Sequence, residues 1–291
     1  MGIREFPASR ATRHLVRAYR VIHFDLRGLQ AASVKFVPAA PEACLGFVLR
    51  DKLVPAEYPD GRHGPQAVSG IMGVHDVATR CPVPQHLLLL QIPFQPGVLQ
   101  RLAGIPAGAL YNQHLDAVDI FGPEAQRVHS RLENARSYVE MVAIADYFIA
   151  GLAGRRQLGK NFDVPLRLLR ENPGISIDWL ADQTSLSLRQ FERCCLEHTG
   201  MTPKSFARLS RFSRAFNLRL SRPERDWLSI AVDCGYYDYQ HMARDFRHFM
   251  GETPARTYEM QGTAPERLLG ETHDFNISYP DPQQESALAG R

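Results

Sequence analysis

The sequence lacks the features of a secreted, membrane-spanning or disulfide-stabilised protein. It has five cysteines in 291 residues and no C-x-x-C spacing, which argues against a disulfide framework and against a zinc site. Its apolar runs, such as Leu87 to Leu90, are far shorter than the roughly 20 residues that cross a membrane. The N-terminal segment MGIREFPASRATRHLVR contains no apolar core of a secretory signal, so we expect a cytoplasmic protein that makes no membrane contact.

Motifs of catalysis are also missing. The chain contains no G-x-S-x-G, no P-loop and no dinucleotide-binding glycine pattern. Its N-terminal part does contain side chains of the types that ligate metals, namely His63, His75, His86, His114, Glu57, Asp76 and Asp116. None of them falls into an H-x-H or H-E-x-x-H spacing. We therefore predict a protein that is not an enzyme and has no metal or cofactor.

Positive charge is modest overall and unevenly distributed. The formal net charge is +3, and residues 155–260 hold 17 Lys and Arg against 13 Asp and Glu. The remaining residues hold 17 basic against 18 acidic side chains. The C-terminal part is therefore the basic one, which is consistent with a surface that faces phosphates.

Short apolar stretches follow one another from Tyr19 to Ile92. They are YRVIHF, ASVKFV, CLGFVLR, AVSGIMGVHDV and HLLLLQIPF, and turn-forming segments such as PAAPEA and PDGRHGPQ separate them. Short strands with such turns predict a small antiparallel barrel or sandwich. After Pro96-Gly97, the segment VLQRLAG predicts one short helix that ends at Gly104.

The pattern becomes helical from Pro123 to Leu152. A predicted helix over residues 134–150 carries more apolar side chains than one buried stripe needs, which predicts burial on two sides. Its second cover is either the other domain or a second copy of the chain, and the pattern favours neither. The segment AGRRQLGKN then interrupts the periodicity and marks a linker.

These patterns predict an α+β protein of two domains. Residues 1–154 form a small antiparallel β-barrel-like domain with helices, and residues 155–260 form an all-α domain. Residues 261–291 are polar and rich in proline, and we expect a mostly disordered tail there.

The most informative stretch runs from Asp226 to Tyr258. Asp226 is a good N-cap for a short helix that ends at Gly235, and Asp238 is a good N-cap for a second helix that ends at Gly251. The second helix has Met242, Phe246 and Phe249 on one side and Tyr239, Gln240, Ala243, Arg244 and Arg247 on the other. This layout is typical of a helix-turn-helix, whose second helix lies in the major groove of DNA.

The same pattern occurs earlier in the chain, at an offset of 51 residues. The matched positions are Ser187 with Asp238, Arg193 with Arg244, Gly200 with Gly251, and Thr202-Pro203 with Thr253-Pro254. Ala181 matches Ala231 one residue out of step, so the second turn is predicted to be one residue longer. A helix from Pro203 to Leu220 joins the two units, which suits successive major-groove segments roughly 34 Å apart.

The stretches LSLRQFERCCLEHTGMTPKSFARLSRFSRA and IAVDCGYYDYQHMARDFRHFMGETPARTY resemble the AraC/XylS family of bacterial transcription regulators. The resemblance covers about Val164 to Met260 and implies a seven-helix domain with two helix-turn-helix units that binds double-stranded promoter DNA. It also implies an N-terminal domain that senses a small-molecule effector or forms a homodimer, and RNA polymerase as a partner if the protein activates transcription. The segments QIPFQPGVLQRLAG and ALYNQHLDAVDIFG are similar to a sensor domain of some members.

The resemblance also implies which side chains contact DNA. The first unit contributes Ser187, Arg189, Gln190, Glu192 and Arg193, and the second contributes Asp238, Tyr239, Gln240, His241, Ala243, Arg244 and Arg247. Arginine suits guanine O6 and N7, Gln240 suits adenine, and Glu192 suits the amino group of cytosine. A phosphate contact or a solvated face is the alternative for each arginine, and packing at the groove edge is the alternative for Tyr239 and His241.

Three positions depart from the family pattern. Cys195 stands where the family usually has Phe, Ser185 replaces a common turn Gly, and Met242 replaces a common Phe. The small side chain of Cys195 predicts that the first unit is the less rigid one. Two other functions stay open: a small-molecule- or metal-binding barrel protein with a vestigial DNA-binding domain, and a regulator that acts mainly through protein partners.

Overall fold

The computed structural model describes residues 2–27, 34–51, 55–156 and 162–262. The strands in these ranges are β1 Gly2–Phe6, β2 Tyr19–Asp25, β3 Val34–Val37, β4 Cys44–Arg50, β5 Ser69–Met72, β6 Thr79–Pro82, β7 His86–Pro93 and β8 His114–Asp116. The helices are α1 Leu99–Ala103, α2 Ala107–Leu110, α3 Ala117–Phe121, α4 Pro123–Glu133, α5 Tyr138–Arg155, α6 Asp163–Glu171, α7 Ile177–Gln183, α8 Leu188–Thr199, α9 Pro203–Ser221, α10 Trp227–Asp233, α11 Tyr239–Met250 and α12 Pro254–Gly262. No helix in these ranges is both long and apolar enough to cross a membrane.

The main sheet has six strands in the order β1-β2-β7-β4-β5-β8, and each neighbouring pair is antiparallel. The strands β3 and β6 form a second, two-stranded antiparallel sheet. The antiparallel architecture predicted from the sequence is confirmed. The outermost strands of the main sheet, β1 and β8, do not pair with each other, so the strands that the structure describes form no closed barrel.

All five strands expected from the apolar stretches are present, and three further strands were not expected. The unexpected strands are short or carry charges: GIREF in β1, TRCP in β6 and HLD in β8. Segments of three to five residues such as these are too short for a period of two to stand out. They are held by pairing with longer neighbours, which the local sequence does not encode.

Helix α5 covers the inner face of the main sheet. Alternate residues of a strand point to the same side, and Val21, Phe47 and Leu90 are completely buried there. The ring of Phe148 on α5 meets the ring of Phe47 edge to face at 6.4 Å. Aromatic and aliphatic side chains from sheet and helix thus form the N-terminal core.

The structure corrects the bounds of the helix predicted over residues 134–150 and excludes one of its two possible second covers. The helix begins only at Tyr138, because the hydroxyl of Ser137 accepts the N–H of Glu140 as an N-cap at 3.1 Å. It continues to Arg155, into the predicted linker, whose residues 157–161 lie outside the described ranges. Its outer side is open, with Val139 68% and Tyr147 74% exposed, so burial between two domains is wrong.

The helices α6 to α12 enclose a second core. The aromatic side chains Phe191, Phe206, Phe212 and Phe246 are completely buried there, and they come from α8, α9 and α11. These seven helices match the number that the family resemblance implies, and α9 is the expected linking helix. The tail predicted from residue 261 lies outside the described ranges beyond Gly262.

The N-terminal elements contact several helices of the second core. The guanidinium of Arg101 lies 2.6 Å from the carboxylate of Asp163 on α6. The backbone N–H of Ala78 donates to the carbonyl of Phe249 at 3.0 Å, at the end of α11. The side-chain amide of Gln261 on α12 donates to the carbonyl of Phe36 on β3 at 2.8 Å.

Candidate DNA-binding surface

The first helix-turn-helix unit consists of α7 and α8, and serine side chains cap both helices. The hydroxyl of Ser176 accepts the N–H of Trp179 at 3.2 Å. Ser187 and Gln190 form a reciprocal capping box, in which the Gln190 side-chain oxygen accepts the N–H of Ser187 at 2.9 Å. Helix α8 ends at Gly200, whose φ of 76° is the left-handed value of a helix stop.

The second unit consists of α10 and α11, and aspartates cap both helices. The carboxylate of Asp226 accepts the N–H of Ser229 at 2.9 Å, and that of Asp238 accepts the N–H of His241 at 2.7 Å. The side-chain bond from Ser229 lowers the pKa of Asp226, and the backbone bond from His241 lowers the pKa of Asp238. Both caps therefore favour the ionised carboxylate.

The internal repeat is confirmed as a structural repeat. Helices α8 and α11 each have 12 residues, and their bounds differ by the expected offset. The first helices, α7 and α10, have seven residues each, and the second turn is one residue longer, as predicted. Ser185 in the first turn has a φ of 56°, and Gly235 in the second has a φ of 77°. A serine thus occupies a left-handed position that the second unit fills with glycine.

Most of the side chains predicted to contact DNA are exposed on the two second helices. The exposed ones are Ser187, Arg189, Gln190, Glu192, Arg193, Gln240, His241, Arg244 and Arg247, and the half-buried ones are Asp238 and Tyr239. Ala243 requires a correction, since it is only 2% exposed. Its methyl group is almost completely covered and offers little surface to DNA.

Several of these side chains already have local partners. The oxygen of the Gln190 side chain is held by Ser187, which leaves its amide nitrogen as a donor. Arg193 lies 3.7 Å from Glu197, and the ring of His241 contacts the carboxylate of Asp238 at 3.0 Å.

Arg244 has one local partner. Its Nε donates to the backbone carbonyl of Gln240 at 3.4 Å, so its two terminal nitrogens remain able to bind guanine side by side.

Two exposed apolar side chains at the start of the second helices were not among the predicted contacts. Tyr237, in the second turn, is 90% exposed and meets the ring of His241 edge to face at 5.9 Å. Leu188, the first residue of α8, is 43% exposed. The longer second turn was the available signal, because it places the adjacent Tyr236 inside, at 5% exposure, and Tyr237 outside.

The possible metal ligands of the N-terminal part come together only in part. The hydroxyl of Tyr58 lies 2.9 Å from Nε2 of His75 and 2.6 Å from Nδ1 of His114. Burial lowers the pKa of His75 to about 4 and that of His114 to about 3, so both rings are neutral at pH 7. His63 and His86 are not part of this cluster, and residues in the described ranges form no group of three or more His, Cys, Asp or Glu suited to a metal.

Comparisons with known proteins agree with this geometry. A family model described as a helix-turn-helix domain matches residues 180–260. The transcriptional activator RhaS of Pectobacterium atrosepticum is 35% identical over 88 residues, which cover 30% of this chain and 31% of that protein. RhaS of Escherichia coli O157:H7 is 35% identical over 80 residues, which cover 28% of each chain. The chain thus spans about a third of the length of the curated relatives that it matches.

Among solved structures, ToxT from Vibrio cholerae is similar over 83% of this chain and 97% of its own, with a TM-score of 0.47 and 11% identity. The sequence relatives and the family model match the part of the chain in which the doubled unit lies. Over residues 180–260 the chain therefore matches a helix-turn-helix domain and is similar to transcriptional activators called RhaS.

Proposed function

We propose that the protein is a sequence-specific DNA-binding transcription regulator of the AraC/XylS type. The observation that carries this proposal is the doubled unit, in which α8 and α11 have matched caps, matched ends and exposed polar faces. Two such helices joined by α9 suit two successive major-groove segments.

The proposed contacts to DNA follow from exposure. Arg189, Glu192 and Arg193 on α8, and Gln240, Arg244 and Arg247 on α11, are exposed and carry the side chains that read bases or bind phosphates. Ser187, Gln190 and Asp238 have a second task in the helix caps, where the backbone N–H groups of Ser187, Gln190 and His241 are already bonded. We assign the side-chain amide nitrogen of Gln190 and the ring of His241 to phosphates near the helix N-termini. Tyr239 is half-buried, and we place it at the edge of the groove.

The test is a binding assay of the full chain against the DNA upstream of its own gene and against random DNA, over a range of salt concentrations. We expect a preference for one upstream site, together with a loss of affinity at higher salt because each phosphate contact releases counterions. Equal affinity for all DNA at every salt concentration would exclude sequence-specific recognition and leave a regulator that acts through protein partners.

We further propose that a second copy of the chain covers the outer face of α5. Val139, Ala143 and Tyr147 recur there every four residues and are all exposed, which forms an apolar stripe along one side of the helix. Fully burying one large apolar side chain stabilises by roughly 1.5–3 kcal/mol, so a symmetric contact that covers this stripe twice is favourable.

Light scattering tests the homodimer. We expect the full chain to elute as a dimer and Tyr147→Glu to elute as a monomer. Arg127→Glu, which introduces the same residue at an exposed position of α4, is the matched control and should stay dimeric. A monomeric wild-type chain at micromolar concentration would contradict the dimer without bearing on DNA binding.

We also propose that a small-molecule effector changes how the protein binds DNA. The N-terminal elements touch α6, α8, α11 and α12 of the DNA-binding part. A ligand that shifts the N-terminal elements therefore also shifts α8 and α11. Coupling of this kind requires only that the ligand binds one arrangement more tightly than the other.

A further inference from the structure

A cavity of about 230 Å³ lies where the N-terminal elements meet the C-terminal ends of α8 and α11. Leu196 on α8 and Phe249 on α11 border it, Ser205 and Arg208 on α9 form its floor, and Asp76 and Tyr111 supply the N-terminal wall. Sites for drug-sized ligands occupy roughly 300–1,000 Å³, so this cavity suits a smaller, metabolite-sized molecule.

The α9 side of the cavity is rich in hydrogen-bond donors. Arg208 is fixed by two neighbours: its Nε donates to Asp245 at 2.5 Å, and its guanidinium carbon lies 5.3 Å from the ring centre of Phe249. Its terminal nitrogens bond to no residue in the described ranges. The Ser205 hydroxyl oxygen accepts a hydrogen bond from Thr202 at 3.0 Å, so its own proton is left to donate. A guanidinium fork beside a hydroxyl donor suits a carboxylate.

The opposite wall supplies an acceptor. The side-chain amide of Asn112 donates to Oδ1 of Asp76 at 2.7 Å, and the backbone N–H of Asp76 donates back to the Asn112 side chain at 3.0 Å. This reciprocal pair fixes the orientation of the carboxylate. An ionised carboxylate offers about four lone-pair sites, so Asp76 can still accept a hydrogen bond from a hydroxyl or ammonium group. Its negative charge disfavours a ligand with two acidic ends.

We propose that this cavity binds a small carboxylic acid that also carries a hydroxyl or amino group. The ligand's carboxylate binds Arg208 and Ser205, and its hydroxyl or amino group binds Asp76. Leu196, which is 50% exposed, and Phe249 cover the carbon chain.

The position of this site gives it a regulatory consequence, which rests on the proposed function. The bound molecule touches the last turn of α11, the second half of α8 and the N-terminal wall at once. If the bound acid favours one spacing of these elements, it changes the affinity of the protein for DNA. DNA then changes the affinity for the acid by the same factor.

Calorimetric titration of the full chain with lactate, glycerate, 3-hydroxybutyrate and serine tests the site, with glycerol as the uncharged probe. We expect saturable binding of at least one of the four acids and none of glycerol. Arg208→Gln should weaken binding at least tenfold because it removes the fork. Leu196→Trp should do the same by filling the cavity, and it leaves the pair of Arg208 and Asp245 intact. Leu228→Trp is the matched control: Leu228 is 59% exposed on α10 and lies outside the cavity lining, so binding should not change.

Three results overturn the proposal. They are the absence of binding by all four acids, equal binding of glycerol, and undiminished binding to Leu196→Trp. DNA binding is measured separately and without any acid. A preference for one DNA site in that assay supports the proposed function even when the cavity binds nothing, so the two failures are distinguishable.

Discussion

The two helix-turn-helix units have the same backbone plan and different means of stabilisation. At equivalent positions, the completely buried Cys195 of the first unit faces its core where the second unit has the completely buried Phe246. The helix stop of the first unit, Gly200, packs against the N-terminal part: a Cβ placed on it would lie 3.0 Å from Cβ of Tyr111. A Cβ on Gly251, its counterpart, would meet no atom within 4 Å among the described residues.

The two units are made rigid by different contacts. The ring of Phe246 contacts the ring of Phe212 on α9 at 4.9 Å and that of Trp227 at 5.6 Å, so the second unit has aromatic packing at the position where the first unit has Cys195. The first unit has a smaller side chain at this place and has Tyr111 pressed against the end of its second helix. We infer that the first unit depends more on the N-terminal part than the second does.

The largest expected effect concerns these two core positions. Phe246→Ala should lower the free energy of unfolding by roughly 3–5 kcal/mol, since it leaves a cavity among aromatic rings. Cys195→Ala should cost about 1 kcal/mol, because one sulfur atom is lost. Urea unfolding of both variants measures the difference. Equal losses would mean that the two units are equally well packed.

Next in size is the pair of arginines at matched positions. Arg244→Ala should weaken binding to the preferred DNA by roughly 1–3 kcal/mol and relax the choice of base at one position. Arg193→Ala should cost less, about 1 kcal/mol or below, because Arg193 must first leave its ion pair with Glu197. Affinities for a set of single-base variants of the site measure both effects. A uniform loss over all sequences for Arg244→Ala would make it a phosphate contact.

A smaller effect is expected in the first turn. Ser185→Gly should stabilise the protein by roughly 0.5–1 kcal/mol, because glycine adopts the left-handed conformation without a clash of its Cβ. Gly235→Ser, the matched exchange in the second turn, should destabilise it. Thermal unfolding of the two variants decides the point, and a lower melting temperature for Ser185→Gly would show that the serine side chain has a stabilising role there.

The smallest expected effect is a different response to acid of the aspartate caps in the second unit and the serine caps in the first. The folded-state pKa of Asp226 and of Asp238 is lowered, so their contribution to stability is present above the ordinary aspartate pKa of about 4 and is lost as pH falls through the folded-state pKa. The caps of the first unit, Ser176 and Ser187, do not titrate in this range. NMR of the backbone amides below pH 4 should show the N-terminus of α11 fraying before that of α8, and Asp238→Ser should remove this difference.

The sequence predicted the C-terminal part well because its signals are local. Caps such as Ser187 and Asp238, stops such as Gly200 and Gly251, and a period of 3.6 residues are all properties of neighbouring positions. The buried Ala243 was placed on the wrong side because an alanine near the border of a helix face carries little information about burial.

The N-terminal part was predicted less completely because long-range pairing shapes it. Strand β8 exists only because residues 114–116 pair with residues of β5 that lie 42 to 46 positions earlier in the chain. The cavity beside Arg208 could not be predicted from the sequence for a similar reason. Asp76, Tyr111 and Arg208 come from three segments, and no spacing in the sequence links them.

The contact between Gly200 and Tyr111 limits how freely the two parts can be recombined. A side chain at position 200 would meet Tyr111 at 3.0 Å and the carbonyl of Ala107 at 3.3 Å, so this helix stop and the surface that receives it must fit each other. A chimaera that joins residues 163–262 to a different N-terminal part must carry along the segment around residues 107–111 or provide an equally close-fitting one. The segments that must be exchanged together are therefore set by this contact surface, and they come from both sides of the linker.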